Sequence, residues 1–209
     1  MQNKKLSTEE KESPVILNKA IIYEGYGAEP NKTRFVRESA SGRLTIVAIG
    51  DPSESLSAAI ALVDEGAELI ELCGAISPTW RAKVSEAIGS RAKVSSVTFG
   101  FESLVLAAHF STSFHEGNPP REAFIILESG SDPDRDRFEK AFDPQHTTFI
   151  PVPDEATGAK VAVELAESGF GLIELYGGFT AAGAAQVIEA VNGLAPVGVG
   201  SFTLDITAP

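Results

Sequence analysis

Cysteine is nearly missing from the 209-residue chain: Cys73 stands alone, which excludes an intramolecular disulfide. Histidine is scarce too, and His109, His115 and His146, scattered and without cysteine companions, do not make a structural zinc site. Long apolar runs are missing. No stretch approaches the roughly 20 residues that cross a bilayer, and the opening MQNKKLSTEEKESP has no apolar core of a secretory leader. The expected setting is cytoplasmic, with no membrane partner. Basic residues are in deficit, 17 Lys and Arg against 29 Asp and Glu, for a formal net charge of -12. The acids are interleaved along the whole chain, which excludes the clustered positive surface that nucleic acid requires. A P-loop, a GxGxxG fingerprint and a nucleophile elbow are all missing, so nucleotide cofactors and a hydrolytic triad have no support. What remains is an ordinary globular composition, 43% hydrophobic, with enough apolar material for a core.

The chain repeats itself. A displacement of 103 positions sets Arg34 on Arg137, Asp51 on Asp154, Gly66 on Gly169, Glu71 on Glu174, Gly74 on Gly177, Glu86 on Glu189 and Phe99 on Phe202 without a gap. The strongest stretch places DEGAELIELCGAI (64–76) against ESGFGLIELYGGF (167–179). One extra residue near Gly27 is needed to bring Glu24 onto Glu128. The copies span 15–117 and 118–209, with Asn118, Pro119 and Pro120 at the junction. Residues 1–14, which lack apolar periodicity, are expected to form a disordered tail.

Within each copy, short apolar and β-branched runs alternate with helix signals. Strands are expected at 18–24, 44–49, 68–73 and 93–99, then at 122–128, 147–152, 171–176 and 197–202. Asp51, Pro52 and Glu54 fit the N-cap, N1 and N3 positions of a helix that Gly66 ends. Ser77 with Pro78, Asp132 with Pro133, Asp154 and Thr180 mark further starts, and Asn192 with Gly193 a stop. Residues 101–114 have the apolar content of a helix linking the copies. Strands separated by helices pair in parallel, so the class is α/β. Eight parallel strands from two copies predict a compact (β/α)8-like barrel closed from two half-barrels. The alternative is a pair of open four-stranded α/β domains packed about a pseudo-two-fold.

The candidate site rests on glutamates where strands should be apolar. Glu71 and Glu174 sit inside LIEL runs, and Glu24 and Glu128 close the first strand of each copy. A carboxylate in a two-sided parallel sheet must face a cavity, a cation or a cleft. In a barrel, four such residues from alternate strands would converge at the C-terminal mouth. Crowded carboxylates raise each other's pKa, which suits a general acid and base near neutral pH. Tyr176 and Cys73, equivalent positions on the same face, differ between the copies, with Tyr176 cast as a proton or hydrogen-bond donor and Cys73 as a pocket wall or core filler. Arg34 and Arg137 would meet an anionic substrate group or simply pair with the glutamates, and Gly177 and Gly178, at a strand-to-helix turn, offer backbone amides.

The repeated unit, and above all its IEL-x-G segment at 70–74 and 173–177, resembles a family of uncharacterised small bacterial α/β proteins whose members are usually one such unit. The resemblance covers most of residues 18–205. It implies the fold unit and dimerisation of single-unit relatives, replaced here by fusion, and it carries no activity. The residues therefore point to a small-molecule enzyme of the lyase or isomerase kind, cofactor-free or assisted by a divalent metal on the same carboxylates. A noncatalytic ligand-binding or scaffold protein is the alternative. The oligomeric state is left open.

Overall fold

The computed structural model describes residues 17–39 and 42–200, so the tail at 1–14 and Phe202 lie outside the described residues. The first copy contributes β1 (Lys19–Glu24), β2 (Arg34–Ser39), β3 (Gly42–Ile49), α1 (Ser55–Asp64), β4 (Leu69–Leu72), α2 (Pro78–Ile88) and β5 (Lys93–Phe99). A single 3-10 turn, Phe101–Ser103, leads into the linking helix α3 (Leu104–His115). The second copy contributes β6 (Glu122–Leu127), β7 (Phe138–Phe142), β8 (Gln145–Val152), α4 (Glu155–Glu167), β9 (Leu172–Tyr176), α5 (Ala181–Val191) and β10 (Val197–Gly200). The eight expected strands are present with ends shifted by no more than two residues, apart from positions 201–202, which lie outside the described residues.

Helix starts follow their capping residues. The Asp51 side chain accepts from Ser53 N while Glu54 reaches back to Asp51 N, a capping box ahead of α1. Asp154 and Thr180 cap α4 and α5 without the reciprocal bond, their side chains accepting from Thr157 N and Gly183 N. Asp132 behaves differently. Its carboxylate accepts from Asp134 N and Arg135 N, but the chain leaves this turn for β7 instead of the expected helix. β2 and β7, unforeseen, are antiparallel edge strands that hairpin onto β3 and β8.

The strands form one ten-stranded sheet in the order β2-β3-β1-β4-β5-β10-β9-β6-β8-β7. Pairing is parallel within each copy's four central strands, but β5 meets β10 antiparallel, Val97 opposite Gly200. The expected eight-stranded parallel barrel is therefore not formed, and neither are two separate open sheets. A parallel barrel would need β5 to pair with β6. Here the last strand of each copy pairs with the last strand of the other, and a two-fold relation through such a pair reverses strand direction. Gly200 is the 103-shifted counterpart of Val97, so this pair sits on the pseudo-two-fold.

The sheet curls into a half-barrel with two apolar layers. One lies under α4 and α5, where Ile125, Ile150, Val161, Leu165, Ile173 and Val187 are buried. Across the concave side, Tyr23, Phe124 and Phe149 meet edge to face with centroids 5.2 to 5.6 Å apart. The curl brings the sheet edges together through side chains: Phe35 of β2 stacks on Phe138 of β7 at 4.1 Å. These two phenylalanines are also 103-shifted counterparts, so the pseudo-two-fold passes between them.

Strand register corrects one sequence assignment. Lys19 pairs with Leu44 as Glu122 pairs with Thr147, and Glu24 pairs with Ile49 as Leu127 pairs with Val152. The displacement is therefore 103 through the first strand as well, and no residue is inserted. Glu24 corresponds to Leu127, Glu128 corresponds to Gly25, and the charged counterpart of Lys19 is Glu122.

Candidate functional site

Residues alternate across β4 and β9, so Ile70, Leu72, Ile173 and Leu175 face one way and Glu71 and Glu174 the other. Both glutamates are 1% exposed. Each reaches into the other copy. Glu71 Oε2 accepts from Gly177 N at 2.9 Å, and Glu174 Oε1 accepts from Gly74 N at 3.0 Å. A carboxylate inside an apolar strand thus satisfies the orphan amide of its partner's strand-to-helix turn. Beyond this reciprocal latch the two ends of the molecule part company.

At one end lies a cavity of about 210 Å³, formed by the end of β1 and the turn after β4 from the first copy, by β6 and β9 from the second, and by α3. Its polar lining is Glu24, Glu122, Glu174, Gln145, Ser111 and His115, with Cys73 and Gly74 from the turn. Its apolar wall is Phe99, Phe110, Phe114 and Phe124.

Glu122, 5% exposed, is held at one oxygen: Oε1 accepts from Gln145 Nε2 at 2.7 Å and from Thr147 Oγ1 at 2.5 Å. Burial pushes its pKa up to about 7, the two hydrogen bonds opposing and Glu24 adding to the rise. Glu174 is pushed up to about 8, chiefly by burial, with the Tyr176 hydroxyl on Oε2 opposing the shift and Glu122 reinforcing it. Glu24, half-buried, is raised by burial while His115 pulls it back. The Cys73 thiol is raised well above its ordinary value by burial and by Glu174, so it stays protonated and serves as wall.

The remaining predicted residues lie elsewhere. Glu71 belongs to the latch, its pKa pushed up to about 7 by burial against the Gly177 amide and Lys19. Glu128 pairs with Arg37 at 3.0 Å, and Arg37 also meets Asp136 at 3.1 Å. Arg34 pairs with Glu65 and Arg137 with Glu164 on the surface, fastening edge segments to helices. Gly177 and Gly178 form the opposite turn at φ +86 and +92. The four predicted glutamates do not converge, because the reversal at β5 and β10 sends the two copies' strand ends in opposite directions. Glu24, Cys73 and Glu174 line the cavity, Tyr176 donates its hydroxyl to Glu174 without lining it, and Glu122 and Gln145 were not anticipated. Among the described residues, no group of three His, Cys, Asp or Glu side chains is arranged to hold a metal ion. No described helix is long and apolar enough to cross a membrane.

A family of unknown function, DUF6506, matches the chain twice, over residues 17–112 and 120–206. The chain belongs to DUF6506. It carries two fused copies of the family's domain, and a search of curated proteins returns no match.

The two DUF6506 units differ where they meet. At the end opposite the cavity, Lys19, Gly42 and Leu127 stand where the cavity has Glu122, Gln145 and Glu24, and the remaining void is about 10 Å³. There the Lys19 ammonium donates to Gly177 O at 3.2 Å and Tyr176 takes the place of Cys73. Its ring lies inward against Phe124 at 5.0 Å. One end of the DUF6506 pair is filled and holds Lys19; the other is hollow and lined by carboxyl groups.

Proposed function

We propose that the cavity is the active site of a small-molecule enzyme of the isomerase or lyase kind, working by proton transfer between Glu122 and Glu174. The observation that carries this reading is a pair of buried carboxyls lining one cavity, with pKa values pushed up by burial to about 7 and about 8. Near neutral pH such a pair holds protons that can move: Glu122, with only Oε1 engaged, is placed to act as base, and Glu174, raised further by Glu122, as acid. In an isomerisation, Glu122 takes a proton from a substrate carbon and Glu174 delivers one to a neighbouring atom. In an elimination, the delivered proton goes to the leaving group. Glu24 and His115 complete the electrostatic setting. A volume of about 210 Å³ lies below the ~300 Å³ at which drug-sized sites begin, which fits a small metabolite.

The test is hydrogen–deuterium exchange at substrate carbon, followed by NMR with small hydroxy-carbonyl and amino-carbonyl compounds in D2O. The native protein should accelerate exchange of at least one of them, and Glu122→Gln and Glu174→Gln should each lower the rate by about 10²-fold or more. Wild-type rates in both variants would remove the assignment. Binding without exchange across the set would favour the noncatalytic alternative.

A further inference from the structure

We propose that the cavity's ligand is a small organic amine, bound as its ammonium ion with a short apolar body against the phenylalanine wall. This rests on the reading of the cavity as a small-molecule site and names its ligand class. Three carboxyl groups, Glu24, Glu122 and Glu174, line the space, and among the described residues no lysine or arginine lines it with them. None of the three forms an ion pair with a described Lys, Arg or His.

Glu122 is the sharpest pointer. Both donors it meets, Gln145 Nε2 and Thr147 Oγ1, go to Oε1, and Oε2 accepts no hydrogen bond from a described residue. The donors are themselves fixed. Gln145 Nε2 also donates to Glu24 O at 2.9 Å, and its Oε1 accepts from Tyr26 N at 2.8 Å. A carboxyl 5% exposed, clamped at one oxygen and free at the other, is built to receive a donor from within the cavity.

The opposite end supplies an independent observation. There the position of Glu122 is held by Lys19, whose ammonium lies against Gly177 O and electrostatically favours the Glu71 carboxylate. By the pseudo-two-fold, the same location at the open end lies against Gly74 O and Glu174. The fold thus places an ammonium beside the latch glutamate at one end and leaves its place open at the other. A ligand ammonium entering there would donate to Glu122 Oε2 and to Gly74 O, beside Glu174, as Lys19 donates to Gly177 O beside Glu71. The side chains of Phe99, Phe110, Phe114 and Phe124 would take the hydrocarbon portion.

Titration calorimetry on the full chain with n-butylammonium and cyclohexylammonium chloride, against 1-butanol, cyclohexanol and sodium butyrate, tests this without any variant. The amines should bind at least about tenfold more tightly than the matching alcohols, because a charge-assisted hydrogen bond replaces a neutral one, and butyrate should not bind. Glu122→Gln should weaken the amines by a similar factor. Glu122→Lys, which supplies the cation from the chain, should abolish amine binding with the fold intact by circular dichroism. Alcohols binding as well as amines, butyrate binding, or no heat from either amine would overturn the inference. Alcohol binding would leave the acid–base reading standing, whereas amine binding with unchanged exchange rates in both Gln variants would sink that reading alone.

Discussion

Replacing Glu71 by Gln should make the protein's stability less dependent on pH, and the size of the effect follows from where the side chain sits. Glu71 is 1% exposed; its Oε2 accepts from Gly177 N, and its Oε1 is buried and accepts no hydrogen bond from a described residue. Burial raises its pKa from 4.5 to about 7 in the folded protein. The native state therefore holds this proton where the unfolded chain has released it. The stabilisation it provides is complete below about pH 4.5 and is lost as pH rises through about 7. Each unit of difference is worth about 1.4 kcal/mol, so the wild type should lose about 2 to 3 kcal/mol at this residue between pH 5 and pH 8. Gln keeps an acceptor for Gly177 N and carries no charge. The variant should match the wild type within about 1 kcal/mol at pH 5 and gain about 2 to 3 kcal/mol relative to it at pH 8. For a chain of this length that is a relative rise in melting temperature of about 5 to 10 °C. Thermal melts of both proteins at the two pH values decide the matter. An equal difference in melting temperature at pH 5 and pH 8 would refute the argument.

Three further outcomes are expected. If Glu122 is the base and Glu174 the acid, the rate on a confirmed substrate should rise through about pH 7 and fall above about pH 8; a plateau from pH 6 to pH 9 would remove the pairing. Arg34→Ala and Arg137→Ala should each cost less than about 1 kcal/mol in urea denaturation and leave ligand binding unchanged, because both ion pairs are partly exposed and distant from the cavity. A double-mutant cycle on Phe35→Leu and Phe138→Leu should return a coupling of about 0.5 to 1.5 kcal/mol from the stacked pair; zero coupling would mean that the sheet edges do not meet in solution.

Local patterns made the strands and most helix starts legible. A β-branched run bounded by Asp-Pro or Gly carries its own signal, and β1, β3, β4, β5 and their counterparts appear where those runs lie. The direction of pairing was not legible, because whether β5 meets β6 or β10 is decided by contacts between copies. β2 alternates exposed and half-buried residues, as in RFVRES, but its polar positions hide the period within an already charged segment. The site was half legible. Glu174 and Glu71 stood out as carboxylates in apolar strands, and a buried amide between copies explains both. Glu122 opens its strand, where a charged residue raises no suspicion. The signal that would have found it was the self-alignment held at 103 through the first strand, which sets a lysine at 19 against a glutamate at 122. Aligning Glu24 to Glu128 by inserting a residue hid that reversal of charge.

The stack of Phe35 on Phe138 bears on how such a molecule can acquire an asymmetric site. In a pair of separate identical chains, a residue on the two-fold touches its own image, and every substitution is made at both ends at once. Emptying one end by exchanging a tyrosine for a cysteine would empty the other, and a glutamate replacing a lysine would remove both cations together. Joining the copies through α3 lifts that constraint. One end is then free to specialise in holding the halves together, with Lys19 and Tyr176 filling it. The other end, relieved of that duty, can carry a void lined by buried carboxyl groups that a symmetric assembly would have had to tolerate twice.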